Sequence, residues 1–475
     1  MSKKNIIYLF VCLILAVLTE VSLFKGPIGI SFSIFIVSFY GVYFYLIKRK
    51  QTTHKLLAMY LFICIWVLAL SYLFIANPVF YGLNLFVVIC LLFIHTSLLT
   101  SPAFIDWSSS LFLVYLGKKI KQFNIFAKKI IVFLLRKIIK NPNTQTYKKI
   151  KKVMIGLIIT GPIFTILLIL LTASDEKFGS FIVTIIQHIL SINITEIWTP
   201  LRIILLFIIF VVGIKTVGKK LVVVPVKQTI RGGAWDLTIV LTIVVSINLL
   251  YALFTIVQFK YFFNDVLIND FTYATYAKKG FFELMFVTVI NFVMIICVHT
   301  YTAVKTKVLK VLLSIMILFS FVMLVSSHLR LSLYEEAYGY TYLRLFSHSF
   351  LILLVVIFGF TIVKIWMEKL NLIRIFLLTA LLYYCSLNMI NMDRVIVSQN
   401  ILRYEKTGDI DLQYMSHLSD ASIPALVDLY KKDQNNPLLK QLLAEKKDQL
   451  LVRKSSWQSY NIPEEKAKKS LKTIE

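Results

Sequence analysis

Apolar residues fill this chain in blocks of about 20, with polar breaks between them, so both faces of each predicted helix are hydrophobic. A run of that length crosses the hydrocarbon core of a bilayer as a helix. Eleven blocks meet the condition, at about 6–24, 28–47, 56–76, 80–99, 153–173, 199–217, 235–257, 281–298, 308–326, 345–366 and 372–387. Breakers mark the turns: Gly26-Pro27 after the first, Asn77-Pro78 after the third, and Pro225 with Gly232-Gly233 before the seventh. Pro200 falls in the first turn of the sixth, where a missing N–H does no harm. The stretch 181–197 carries Gln187, His188, Asn193 and Glu196, and reads as an outer interfacial helix. If 174–198 crossed the bilayer instead, the orientation of everything after it would invert.

Two segments break the apolar pattern differently. Residues 101–152 hold twelve Lys and Arg, and from Leu111 to Lys140 these alternate with Ile, Leu and Phe at helical spacing. Such a helix lies in the headgroup layer and is drawn to anionic lipid, here through Lys118, Lys121, Lys128 and Arg136. From about Asn388 the composition becomes that of a water-soluble segment. Helix starts are legible at Asn391, at Ser422 before Ile423-Pro424 and at Asn436-Pro437. Three or four short helices are expected there, with a Lys/Glu-rich end from about Pro463 that frays. The organisation is four membrane helices in 1–100, a basic amphipathic segment in 101–152, a seven-helix membrane core in 153–388, and a helical tail in 389–475.

Composition supports an all-α polytopic membrane protein: 58% of residues are hydrophobic and 16% charged, with a mean hydropathy of +0.80. The net charge of +27 does not signal nucleic acid, because its distribution follows membrane topology. With the N-terminus cytoplasmic, inner segments hold 29 of the 51 Lys and Arg, outer ones 8, and the tail 14. That excess places the C-terminus and the tail outside. The tail then offers a surface to an envelope protein partner. The five cysteines all lie in apolar runs without metal-ligand spacing, so they read as small hydrophobes. Nucleotide, dinucleotide, metalloprotease and serine-hydrolase motifs are absent, and no cofactor is expected.

Candidate chemistry concentrates in 328–348, HLRLSLYEEAYGYTYLRLFSH, between two apolar blocks. Ionisable groups at a membrane boundary need partners or water. On a helix, Arg330, Tyr334, Tyr338 and Thr341 share a face, as do Arg344 and His348, and Gly339 can end the helix. Glu336 can then approach Arg330 or Arg344. The functional expectation is an outward-facing polar cavity for an anionic or polyhydroxylated ligand. It is built from Arg330, Tyr334, Glu335, Glu336, Tyr338, Arg344 and His348, facing Asp265, Asp270 and Glu283 of 257–291. The competing expectation is a closed ion-pair network that stabilises a helix break. A metal site from His328, His348 and the nearby carboxylates lacks compact spacing and is not expected. Three functions fit this pattern. They are a non-catalytic envelope transporter or lipid or polymer binder, an enzyme on a lipid-linked substrate, and a membrane scaffold or sensor.

The motifs also resemble a known family. RLSLYEEAYGYTYLRLF (Arg330–Phe346) is similar to the RLxLYxxAYGxTxLRL signature of the bacterial membrane family called domain of unknown function 4173, whose relative is 4153. YATYAKKGFFELMFVTVIN (Tyr273–Asn291) resembles its second signature, with Lys278-Lys279 where Arg is common. NILRYEKTGDIDLQYMSHLSDASIPAL (Asn400–Leu426) resembles its ending. The resemblance implies an integral bacterial membrane protein and supplies no activity.

Overall fold

The computed structural model describes residues 3–47, 54–102, 104–138, 195–219, 221, 235–263, 270–302, 304–367, 370–453 and 456–474, with isolated positions between 156 and 184. Its helices, in chain order, are α1 (Lys3–Leu23), α2 (Ile30–Leu46), α3 (Lys55–Phe74), α4 (Tyr81–Leu99), α5 (Ser110–Ile138), α6 (Thr195–Gly218), α7 (Leu237–Phe263) and α8 (Asp270–Tyr301). They continue with α9 (Lys307–Tyr338), α10 (Tyr342–Trp366), α11 (Leu372–Met389), α12 (Met392–Thr407), α13 (Leu412–Ser416), α14 (Ile423–Lys432), α15 (Pro437–Val452) and α16 (Ile462–Leu471). The described residues contain no strand, only an isolated bridge between Trp235 and Thr302.

Nine described helices are long and apolar enough to cross a membrane. A tenth, α2, has 17 residues and sits at the short end of that range. These ten coincide with ten of the eleven expected blocks. The remaining block, 153–173, and the interfacial helix expected at 181–197 lie outside the described residues apart from isolated positions. Several boundaries differ: α6 starts at Thr195, so Pro200 lies inside the helix rather than in its first turn, α8 starts already at Asp270, and α9 runs on to Tyr338.

The chain groups into two units, 1–58 with 93–223 and 59–92 with 224–475. In the first, α1 and α6 pack antiparallel around Cys12, Leu15, Val211 and Ile214. Near one end of the pair Tyr8 donates to the carbonyl of Val211 at 2.5 Å. Near the other, Arg202 grips the buried Glu20 through two nitrogens at 2.6 and 3.0 Å. A carboxylate in an apolar bundle requires such a fork. Lys119 on α5 is fully buried. Its ammonium donates to the carbonyls of Thr216, Val217 and Lys219 at 3.1, 2.7 and 2.8 Å. The last carbonyls of a helix have no partner within it, so a buried cation there caps them and meets the negative end of the helix dipole. Lys118, Lys121 and Lys128 on the same helix are exposed, and the Arg136 side chain lies outside the described residues.

In the second unit α7 to α10 share a core of Val244, Phe281, Met316, Ile317, Leu324 and Phe358. A polar thread crosses it: Tyr251 donates to Asn291, which donates to Ser320 at 3.1 Å. The tail helices α12 to α16 form a core of their own around Ile396, Ile423, Leu426, Leu439 and Ala467. Asn391 and Asn436 cap α12 and α15 as expected, accepting from Arg394 and Leu439 N–H at 3.1 and 3.2 Å. Contrary to expectation, the end does not fray. Asn461 caps α16, and Ala467 and Leu471 bury its inner face. The short Lys/Glu pattern hid this apolar contact.

Lys119→Met keeps the side-chain length and removes the donors. Three carbonyls then lose their partner, at a cost of about 1–3 kcal/mol. The expected readout is a lower unfolding midpoint of the detergent-purified protein, and an unchanged midpoint would refute the cap.

Candidate functional site

The helix α9 has 32 residues. At roughly 1.5 Å per residue it spans about 48 Å, against about 30 Å of hydrocarbon, so its last turns reach the headgroup layer. The expected polar segment begins there. His328 to Tyr338 complete α9, Gly339 ends it with φ +78°, and α10 starts three residues later. At that φ a side chain is strained, and a Cβ on residue 339 would fall 2.5 Å from Asn400 Oδ1.

Ending a helix here exposes carbonyls that α12 satisfies. Asn400 accepts from Tyr340 N–H at 2.8 Å and donates to the Tyr340 carbonyl at 2.9 Å. Arg403 donates to the carbonyls of Glu336 and Ala337, both at 2.8 Å. Arg344 donates to the Gly339 carbonyl from the other side. Tyr342 donates through its hydroxyl to Asp393, which also receives Ser419, and through its N–H to Tyr414 at 3.0 Å. Burial, then Glu335 and Glu336, push the Tyr340 phenol above its usual range. Sequence reasoning gave Asn400 and Arg403 no role. Their i, i+3 spacing, which puts both on one helix face, was the available signal.

The ten expected site residues divide. Glu335 and His348 meet: His348 Nε2 lies 2.8 Å from Glu335 Oε2, and its Nδ1 lies 3.0 Å from Nδ1 of His328. Glu335 is buried and His328 exposed, so the two rings connect a buried carboxylate to the surface. With Glu335 ionised and both rings neutral, His348 donates from Nε2 and accepts at Nδ1, which fixes the proton on Nδ1 of His328. Such a chain can carry a proton. Arg344 stacks over the Tyr334 ring at 4.2 Å. Arg330 is buried, and a Cβ on Gly280 would fall 1.9 Å from its Nη1. The first two signature segments therefore do meet, through Gly280 and Arg330.

Glu336 and Tyr338 are exposed; Glu336 makes no ion pair with Arg330 or Arg344 and offers only its backbone, to Arg403. Arg344 instead serves a ring and a backbone carbonyl, which satisfy a guanidinium without a carboxylate. Glu283 is exposed on α8. Asp270 opens α8 with a side chain outside the described residues, and Asp265 lies outside them altogether. No group of three His, Cys, Asp or Glu among the described residues could hold a metal ion.

The cavity itself differs from the expected polar pocket. A cleft of about 630 Å³ runs along α9 and α10. Phe321, Leu324, Val325, Leu351, Ile352 and Val355 line most of it, and His328, Ser332, Glu335 and His348 line its polar end. Its size is that of ordinary ligand pockets. Arg344 and Tyr334 face a separate pocket of about 220 Å³ with Phe281, Phe282 and Ser347.

A family model for a domain of unknown function, DUF4153, matches residues 62–429 and so includes the whole cleft. It is the relative, 4153, of the family the motifs resemble. No curated protein and no solved structure matches the chain.

Gly339→Ala and Asn400→Ala each loosen the helix break, by about 1–3 kcal/mol apiece. Because both act on one contact, the double variant should lose less stability than the sum of the singles. Thermal unfolding in detergent measures this, and strict additivity would separate the two effects.

Proposed function

The chain belongs to the DUF4153 family, a domain of unknown function, and on that premise we propose that it is a non-catalytic binding protein for a lipid or lipid-linked envelope component. It acts in a bacterial plasma membrane, with a cytoplasmic N-terminus and an extracytoplasmic tail. One observation carries the reading: the cleft on α9 and α10 joins a long apolar wall to a buried carboxylate and two imidazoles. An amphiphile matches that division, whereas a small polar solute would leave the apolar wall wet. The excess of Lys and Arg in the expected inner loops supports the orientation, which puts the cleft's polar end at the outer leaflet. Exposed Lys118, Lys121 and Lys128 on α5 then attract anionic lipid of the inner leaflet. The tail surface is free for an envelope protein partner.

The imidazole–imidazole–carboxylate chain favours a second reading, an enzyme on a lipid-linked substrate with Glu335 and His348 as acid and base. Incubation with an extracted lipid pool separates the two. A binder returns its ligand unchanged, and an enzyme returns a product of different mass.

The binding reading predicts one lipid molecule per chain after exhaustive detergent exchange, seen by native mass spectrometry. Ile352→Trp places an indole in the cleft from an exposed position and should reduce that occupancy about tenfold, about 1.4 kcal/mol. Equal occupancy in the variant would overturn the site. For orientation, the five cysteines are replaced by alanine and single cysteines are placed at Lys466 and Lys128. An impermeant maleimide should label position 466 in intact cells and position 128 only after permeabilisation; the reverse result inverts the topology.

A further inference from the structure

Among the described residues that line the cleft, Glu335 alone has a buried side-chain polar atom without a hydrogen-bond partner. Its side chain is 3% exposed. Oε2 holds His348, and Oε1 meets no donor among the described residues. A buried carboxylate oxygen without a donor is costly, and the cost disappears once a ligand supplies one. The charges around it decide which donor. Among the described residues no Lys or Arg lines the cleft; Arg344 belongs to the smaller pocket and also stacks on Tyr334. The two imidazoles sit on the Oε2 side as a linear pair. An anionic headgroup placed at Oε1 would meet a carboxylate in an apolar wall, with no guanidinium to offset it. A cationic N–H donor would be attracted there.

We propose that Glu335 Oε1 accepts a hydrogen bond from the ammonium group of an amine-bearing amphiphile, whose hydrocarbon lies along Phe321, Leu324, Leu351 and Ile352. This rests on the lipid-binding reading and names the headgroup class for the same cleft. It replaces the anionic ligand expected from the arginines, which the fold directs elsewhere. His348 and His328 are positioning residues: they hold the carboxylate through Oε2 and leave its second oxygen for the ligand.

Three single-chain lipids with the same 16-carbon chain and the same phosphate test the proposal. They are lysophosphatidylethanolamine, lysophosphatidylcholine and lysophosphatidylglycerol, titrated into the full-length delipidated protein in neutral detergent and read by native mass spectrometry. The ethanolamine head offers charged N–H groups, the choline head the charge without N–H, and the glycerol head neutral hydroxyls with net negative charge. The wild type should bind the ethanolamine lipid about tenfold more tightly than either of the others. Glu335→Gln should bring all three to one level. Equal binding of all three to the wild type, or preference for the glycerol lipid, overturns the ammonium contact and leaves the lipid cleft standing. Preference for ethanolamine that survives Glu335→Gln places the contact elsewhere and also overturns it. If none of the three binds, the lipid-cleft reading itself falls. The wild-type ranking needs no variant, so it decides the matter even if Glu335→Gln fails to fold.

Discussion

A helix that stops near hydrocarbon leaves carbonyl groups that neither lipid nor its own turns can satisfy, and the second unit is organised around that constraint. The end of α9 is held by Asn400 and Arg403 from α12 and by Arg344 from α10. These contacts hold the tail core, through Tyr340 and Tyr342, against the break. They also fix the rotation of α9 relative to α10, which brings Glu335, His348 and His328 into line. The cleft is thus a product of helix termination. Loosening the Gly339 turn would disturb the carboxylate without touching it.

The same constraint gives arginines near the break partners within the protein. A guanidinium has five donors, and a helix end offers acceptors at close range. Arg344 takes the Gly339 carbonyl and the face of Tyr334. Arg403 takes two carbonyls of α9, the Asp409 carbonyl and, as an ion pair at the surface, the Asp409 carboxylate. In the first unit Arg202 binds Glu20, so there the charge does meet a carboxylate. The difference is one of place: Glu20 is deep and needs a cation, while Glu336 is exposed and is served by water.

Membrane helices were legible because hydrocarbon imposes a length, and length survives in a single sequence. Ten described helices fall on the expected blocks, and the stop at Gly339 and the starts at Asn391 and Asn436 follow local backbone chemistry. The site was legible only in part. Its ingredients could be counted, and the meeting of 280 with 330 followed the two motifs, but the partner of each charge depends on helix rotation. Glu335 and Glu336 are neighbours in sequence and opposite in environment: one is buried on a histidine and the other is exposed. No periodicity argument separates them without knowing which face of α9 meets α10. The apolar wall was hidden for the same reason, since Leu324 and Ile352 look like any lipid-facing residues.

Lys119 carries a consequence for the amphipathic helix that bears it. A surface helix held only by headgroup attraction exchanges with water and responds to the charge of the leaflet. Here one lysine is withdrawn from that surface and locked into the carbonyl end of α6, with its aliphatic stem buried. The basic stripe is therefore a fixed ledge of the bundle. Through changes in lipid charge or salt the helix itself stays where the protein interior has fastened it.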